Sequence, residues 1–206
     1  EGPDSLVVKS DGKADAVYLR TLSLGQSLLN ALDESLGQAL ERLPIPKLMS
    51  YQLADGVTTV QFVRPAHGLL ALHGAEIVAV STLGLKAGRL THGHRYQGVK
   101  DIPVATADAY EDALAAHGQV IARFDARRAE IARQLAQHAA RLNATLGAEA
   151  DYAPLLDEVT ALVEFPTVYA GEFEPGFLVV PPECLILTMR QNQRYFPLFD
   201  AHGKLT

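Results

Sequence analysis

QFVRPAHGLLALHGAEIVAVSTLGLKAGRLTHGHRYQG, residues 61–98, is the stretch on which the fold class turns. Residues 62–65, 68–73 and 76–82 are short apolar runs rich in Val, Ile and Leu, punctuated by Gly74 and Gly84. Runs too short for helices and bounded by glycine read as buried or half-buried strands. The expectation is a central sheet built from strands between residues 57 and 82, mostly antiparallel or mixed. The piece that follows, 84–98, holds Gly84, Gly88, Gly93 and Gly98 and carries Lys86, Arg89, His92, His94 and Arg95. No Asp or Glu stands between Glu76 and Asp101, although the whole chain has a formal charge of −6. That local reversal of sign marks a surface suited to negative charge.

Outward from this centre, residues 5–10 and 14–19 bracket Asp11-Gly12-Lys13, a hairpin signal. Apolar residues at 24, 28, 29, 32, 36, 39, 40 and 43 follow helical spacing until Pro44 and Pro46 stop the helix. Residues 1–46 are thus expected to be a hairpin plus one amphipathic helix leading in. Residues 106–164 are expected to be a helical insertion or layer, with a short helix at 106–114, a break at Gly118, a long helix over 119–146 and another over 152–163. The long helix carries Val120, Ile121, Phe124, Ile131, Leu135, Ala139, Leu142 and Leu146 on one stripe. The close is expected to bring strands at 167–169, 177–180 and 195–200 with a helix over 182–193. Strands and helices without βαβ alternation favour an α+β fold over a doubly wound one. A single α+β domain over 1–206 is the expected organisation.

Composition bounds the function. Nearly half of the 206 residues are apolar and a fifth charged, ordinary for a globular protein. No apolar run is long enough to span a membrane and no signal-peptide pattern opens the chain. Cys184 is the single cysteine, which forbids an intrachain disulfide and fits a cytoplasmic setting. With an acidic balance overall, any contact with nucleic acid has to be local.

His92 and His94 lie at i and i+2, the same face if the backbone is a strand, but two imidazoles fall short of the three protein ligands of a catalytic zinc site. No metal site is read here. Arg64 and His67 in FVRPAH have two readings, a clamp for phosphate or carboxylate or a buried arginine paired with an acid such as Glu164. Ser81, His92 and Asp101 lack the elbow of a nucleophilic serine, and Cys184 in its apolar run reads as a small core residue. Glu183 reads as a first-turn helix carboxylate, and Glu158 and Glu164 do not share a helix face. No catalytic residue is assigned. The stretch MRQNQRYF, 189–196, is again free of acids and joins Arg190 and Arg194 to three amides and two aromatics, a composition suited to RNA.

FVRPAH (62–67), GLKAGR (84–89), GHRY (93–96), LLDEVTALVEFP (155–166), FLVVPPE (177–183) and MRQNQRYFP (189–197) occur in an order that resembles the beta subunit of the bacterial heterotetrameric glycyl-tRNA synthetase, from about residue 43 to the end. Gly68, Tyr96 and Phe165 depart from the residues frequent in that family. The resemblance implies an aminoacyl-tRNA synthetase, a glycine–tRNA ligase using ATP and Mg, in which an alpha subunit carries the adenylating site within an α2β2 tetramer. This chain then reads as a fragment of a longer beta subunit. It also resembles the editing-domain-like module of phenylalanyl-tRNA synthetase. The expected role is support of tRNA(Gly) recognition and subunit assembly, with Arg64, His67, Lys86, Arg89, His92, His94, Arg95, Arg190 and Arg194 as candidate tRNA contacts. Two alternatives stay open: a deacylase using His67, His92 or His94, and a scaffold without RNA contact.

Overall fold

A computed structural model describes residues 6–10, 12–21 and 24–206. Its contacts gather into two compact units, residues 1–64 with 80–84 and residues 65–79 with 85–206.

In the first unit Leu6–Ser10 and Asp15–Leu19 pair antiparallel, with Leu6 opposite Leu19 and Ser10 opposite Asp15. Gly12 takes φ +85° in the turn, a conformation that costs glycine little; Ser5 and Asp11 lie outside the described residues. Helix α1, Leu28–Arg42, starts where the Ser27 hydroxyl accepts the Asn30 N–H at 3.2 Å, a serine N-cap. It stops at Leu43, whose extended backbone is what a residue before proline adopts. Helical spacing begins at residue 24, so the helix is shorter at its start than that spacing anticipates. A second hairpin pairs Met49–Gln52 with Thr59–Phe62. Its turn is organised by Asp55, whose carboxylate accepts from the backbone N–H of Val57 and Thr58 and from the Thr58 hydroxyl. Those bonds, the Thr58 hydroxyl foremost, hold the Asp55 carboxyl below the usual range.

The second unit carries the helices. Residues 107–118 coil continuously through a 3-10 turn, the short helix α2, Tyr110–Ala113, and a wide turn, Leu114–Gly118. Helix α3 is Phe124–Arg141, α4 is Glu149–Leu162 and α5 is Pro182–Thr188, which runs on into a wide turn, Met189–Gln193. Buried Ile131, Leu135 and Leu156 make the centre of a core completed by Tyr152, Val159, Val163, Val168 and Phe196. Ile131, Leu135 and buried Ala139 stand four apart, so one face of α3 closes on α4. Thr160 is fully buried and gives its hydroxyl proton to the Leu156 carbonyl at 2.7 Å, which removes the cost of an unpaired buried hydroxyl. Arg127 ties the two helices further, donating to the carbonyls of Thr160 at 2.9 Å and Ile121 at 2.6 Å. A smaller buried group, Ile102, Val104 and Leu114, lies elsewhere in the unit.

The mixed α and β character is present, but the central sheet is not. Every sheet among the described residues has two strands, because positive φ at Gly74, Leu83 and Gly84 turns the chain before the apolar runs of 68–82 can extend. The long helix begins at Phe124 rather than 119, since Gln119 is left-handed and the Ile121 N–H bonds the distant Glu164 carbonyl. Left-handed Asn143 and Gly147 separate its end from the next helix. Residues 177–180, anticipated as a strand, lie mostly within a 3-10 turn, Pro175–Val179, opened by a proline at its first position. Residues 167–169 form no strand, and of 195–200 only Phe199 bridges, to Thr145 and Leu205. Cys184 is exposed rather than part of the core.

Candidate nucleic-acid interface

Residues 92–101 follow the short ladder of Leu90–Thr91 with Ile102–Pro103, and their shape is set by glycine. A Cβ at Gly93 would stand 2.5 Å from the Gly118 Cα, and a Cβ at Gly98 would collide with the Gly118 carbonyl. At that approach the loop bonds the end of the Leu114–Gly118 turn: the His94 N–H donates to the Gly118 carbonyl at 2.6 Å and the Val99 N–H to the His117 carbonyl at 3.0 Å. Within the loop, Gly93 N–H reaches the Val99 carbonyl at 3.0 Å and Gly98 N–H the His94 carbonyl at 2.8 Å. The His94 Nδ1 accepts from the Tyr96 and Gln97 N–H groups at 3.3 and 3.2 Å, which assigns any neutral-ring proton to Nε2.

The apex so held presents Arg95, Tyr96, Gln97 and Lys100 to solvent. Tyr96 is 86% exposed, with the Arg95 guanidinium carbon 5.9 Å from its ring centre, within cation–π range. At the base of the loop the exposed His92 lies against Gly68, where a Cβ would come 3.8 Å from the imidazole Cδ2. Its Nδ1 is 3.6 Å from Asp101 Oδ1 and 3.4 Å from the Asp101 amide nitrogen, which donates to it. Asp101 is left-handed, φ +56°.

The other sequence candidates separate into two groups. Arg64, His67 and Lys86 are exposed, so Arg64 is not the buried arginine that one reading anticipated. Arg89 instead donates to the Ala75 carbonyl at 2.9 Å and the Ala105 carbonyl at 3.2 Å, stitching backbone segments together. Arg194 ends the Met189–Gln193 turn in a left-handed conformation and its Nε meets Glu158 Oε1 at 2.6 Å. Arg190 is half-buried, its Nε without a hydrogen-bond partner among the described residues. His92 and His94 are not on a strand, so the shared face that regular alternation would give them does not arise. Among the described residues no three His, Cys, Asp or Glu side chains converge.

Two features escaped sequence reasoning. Gly118 reads as a helix breaker, yet its bare Cα and carbonyl are the floor on which the loop rests; the signal was the pair Gly93 and Gly98 across from it. Arg127, a charge on a helix, bonds the Thr160 carbonyl of the neighbouring helix and the Ile121 carbonyl ahead of its own. A groove of about 660 Å³ also opens in the second unit, walled by apolar residues including Leu135, Val163, Phe173 and Phe196. No helix among the described residues is long and apolar enough to cross a membrane.

The family model described as glycyl-tRNA synthetase beta subunit matches residues 2–206. The chain is 55% identical over 206 residues to the glycine–tRNA ligase beta subunit of Dechloromonas aromatica (strain RCB), covering 98% of this chain and 29% of that protein. It is 56% identical over 211 residues to the subunit of the same name from Leptothrix cholodnii (strain ATCC 51168 / LMG 8142 / SP-6), with 100% and 29% covered. For the Thiobacillus denitrificans (strain ATCC 25259 / T1) subunit the identity is 55% over 199 residues, with 96% and 28% covered. The chain thus spans less than a third of the length of these curated relatives.

Proposed function

The chain belongs to the glycyl-tRNA synthetase beta subunit family, and from that premise we propose that it supports tRNA(Gly) recognition and subunit assembly in ATP-dependent glycylation. The observation that carries the RNA part is the glycine-clamped loop 92–101, which holds Arg95 and Lys100 outward in a stretch without acids between Glu76 and Asp101. Cations fixed on a backbone that cannot drift meet phosphates with little ordering cost. Lys86 adds an exposed cation in the same unit and Arg64 one in the other. Arg89 is bonded to backbone carbonyls and Arg194 is paired with Glu158, so the exposed cations without such partners carry the proposal.

ATP and Mg belong to the whole synthetase in this proposal, with the alpha subunit of an α2β2 assembly supplying the adenylating site in the cytoplasm. Exposed Phe177, Val179, Leu187 and Tyr195 give the assembly role its support, being large apolar groups of the kind that protein partners cover.

The test uses the assembled synthetase and tRNA(Gly). Arg64→Ala, Lys86→Ala, Arg95→Ala and Lys100→Ala are each expected to weaken tRNA binding, with the salt slope falling by about one for each phosphate contact removed. Unchanged affinity and slope in all of these variants would reject an RNA role and leave a scaffold.

A second reading is hydrolysis of the ester on mischarged tRNA by exposed His92, whose ring is fixed at Nδ1 by the Asp101 N–H at 3.4 Å. Ester hydrolysis that disappears in His92→Ala would promote it; hydrolysis absent from the wild type would dismiss it.

A further inference from the structure

We infer that Tyr96, with Arg95 over its ring, is a stacking seat for an unpaired nucleotide of the bound RNA. This rests on the tRNA-recognition reading and narrows it to a chemical part of the ligand, a base whose face is free.

Tyr96 is 86% exposed, and its ring has few neighbours: Arg95 at 5.9 Å and the tilted His94 ring at 6.3 Å between centres. A wandering loop does not explain that exposure. The Tyr96 N–H and the next one both bond the His94 imidazole, and Gly93 and Gly98 are pressed on Gly118. The backbone beneath the ring is thus fixed by the protein's own bonds, and the ring is held in water. Large flat side chains held that way suit partners that are themselves flat, and base–aromatic stacking is the sequence-tolerant form of such contact.

Charge selects among flat partners. Arg95 lies over the ring, and Gln97 and Lys100 are exposed in the same loop, with no acid before Asp101. Cations suit the phosphates on either side of a stacked base, and an amide suits a base edge. Bases inside a duplex have both faces covered by their neighbours, so only an unpaired nucleotide offers one to Tyr96.

The experiment uses the assembled synthetase with tRNA(Gly) carrying 2-aminopurine in turn at its unpaired positions. For Tyr96→Ala the expected result is binding weakened about ten-fold at an unchanged salt slope, because stacking releases no counterions. Quenching of one labelled position is expected in the wild type, lost in Tyr96→Ala and kept in Tyr96→Phe, whose affinity stays within about two-fold because the ring face is retained. A short unstructured oligoribonucleotide should compete for this quenching where a blunt RNA duplex does not. Wild-type affinity in Tyr96→Ala, equal loss in Tyr96→Phe, or equal competition by the duplex would each overturn the stacking seat. If Tyr96→Ala binds normally while Arg95→Ala and Lys100→Ala bind weakly with a reduced slope, the seat falls and the tRNA reading stands. If Arg64→Ala and Lys86→Ala, together with those three, leave binding untouched, both fall.

Discussion

The helix pair α3 and α4 and the loop 92–101 reach fixed shapes by opposite means. The helices close on Ile131, Leu135 and Leu156, so removal of apolar area from water supplies their stability. The loop, by contrast, is held by glycine contacts and backbone hydrogen bonds to the end of the 114–118 turn. A core tolerates exchange of one apolar side chain for another of similar volume; a glycine contact tolerates no added atom. Rigidity of the second kind leaves the outward side chains free for binding, which is why an exposed cationic surface can be fixed without a core beneath each residue.

The strongest way to break the comparison is Leu156→Ala in the assembled synthetase. A cavity at a residue 1% exposed is expected to lower the opening free energy of the helix pair by about 2–5 kcal/mol, read by amide hydrogen exchange over 124–162. Protection of the His94 and Val99 amides should change far less. Gly98→Ala is the converse. Overpacking against the Gly118 carbonyl is expected to cost about 1–3 kcal/mol and to appear as lost protection at His94 and Val99, with the helix pair intact. Next comes His94→Ala, which removes the acceptor of the Tyr96 and Gln97 amides; faster exchange of those two, by about 1 kcal/mol of opening free energy, is the expected reading. Equal protection with and without the imidazole would show that it does not set the apex.

The smallest effect lies on the solvent side of α3. Hydrogen bonds from Arg133 and then Gln134 bring the Glu130 carboxyl down from its ordinary 4.5 to about 2. A depressed carboxylate pKa contributes stability that is present above about 4.5 and lost as pH falls toward 2. Glu130→Gln should therefore flatten the acid dependence of helix-pair stability in that window, modestly, because the pair faces water. An unchanged acid profile would remove Glu130 from the account.

Sequence spacing revealed what depends on side-chain periodicity. Ile131, Leu135 and Ala139 mark the buried face of α3 by their spacing alone, and the first hairpin follows from its turn residues. Pro44 announces the end of α1 at Leu43. The sheet was misread because apolar composition says that residues 68–82 are partly buried, whereas ladder length depends on φ at Gly74, Leu83 and Gly84. Of the candidate contacts, Arg95 and Lys86 are exposed as a solvated cation should be, while Arg89 and Arg194 are not free. Their partners are carbonyls and an acid more than a dozen residues away, and nothing in local sequence points to partners so remote.

The dependence of the loop on Gly118 also orders events during synthesis. Translation delivers residues 92–101 before the floor that shapes them, which follows roughly twenty residues later, on the order of one to four seconds at ordinary elongation rates. Through that interval His94 and Val99 lack the carbonyl partners they hold in the finished chain. Until then the loop has only the bonds within itself, and its full set of backbone contacts is complete only when the 114–118 turn has formed.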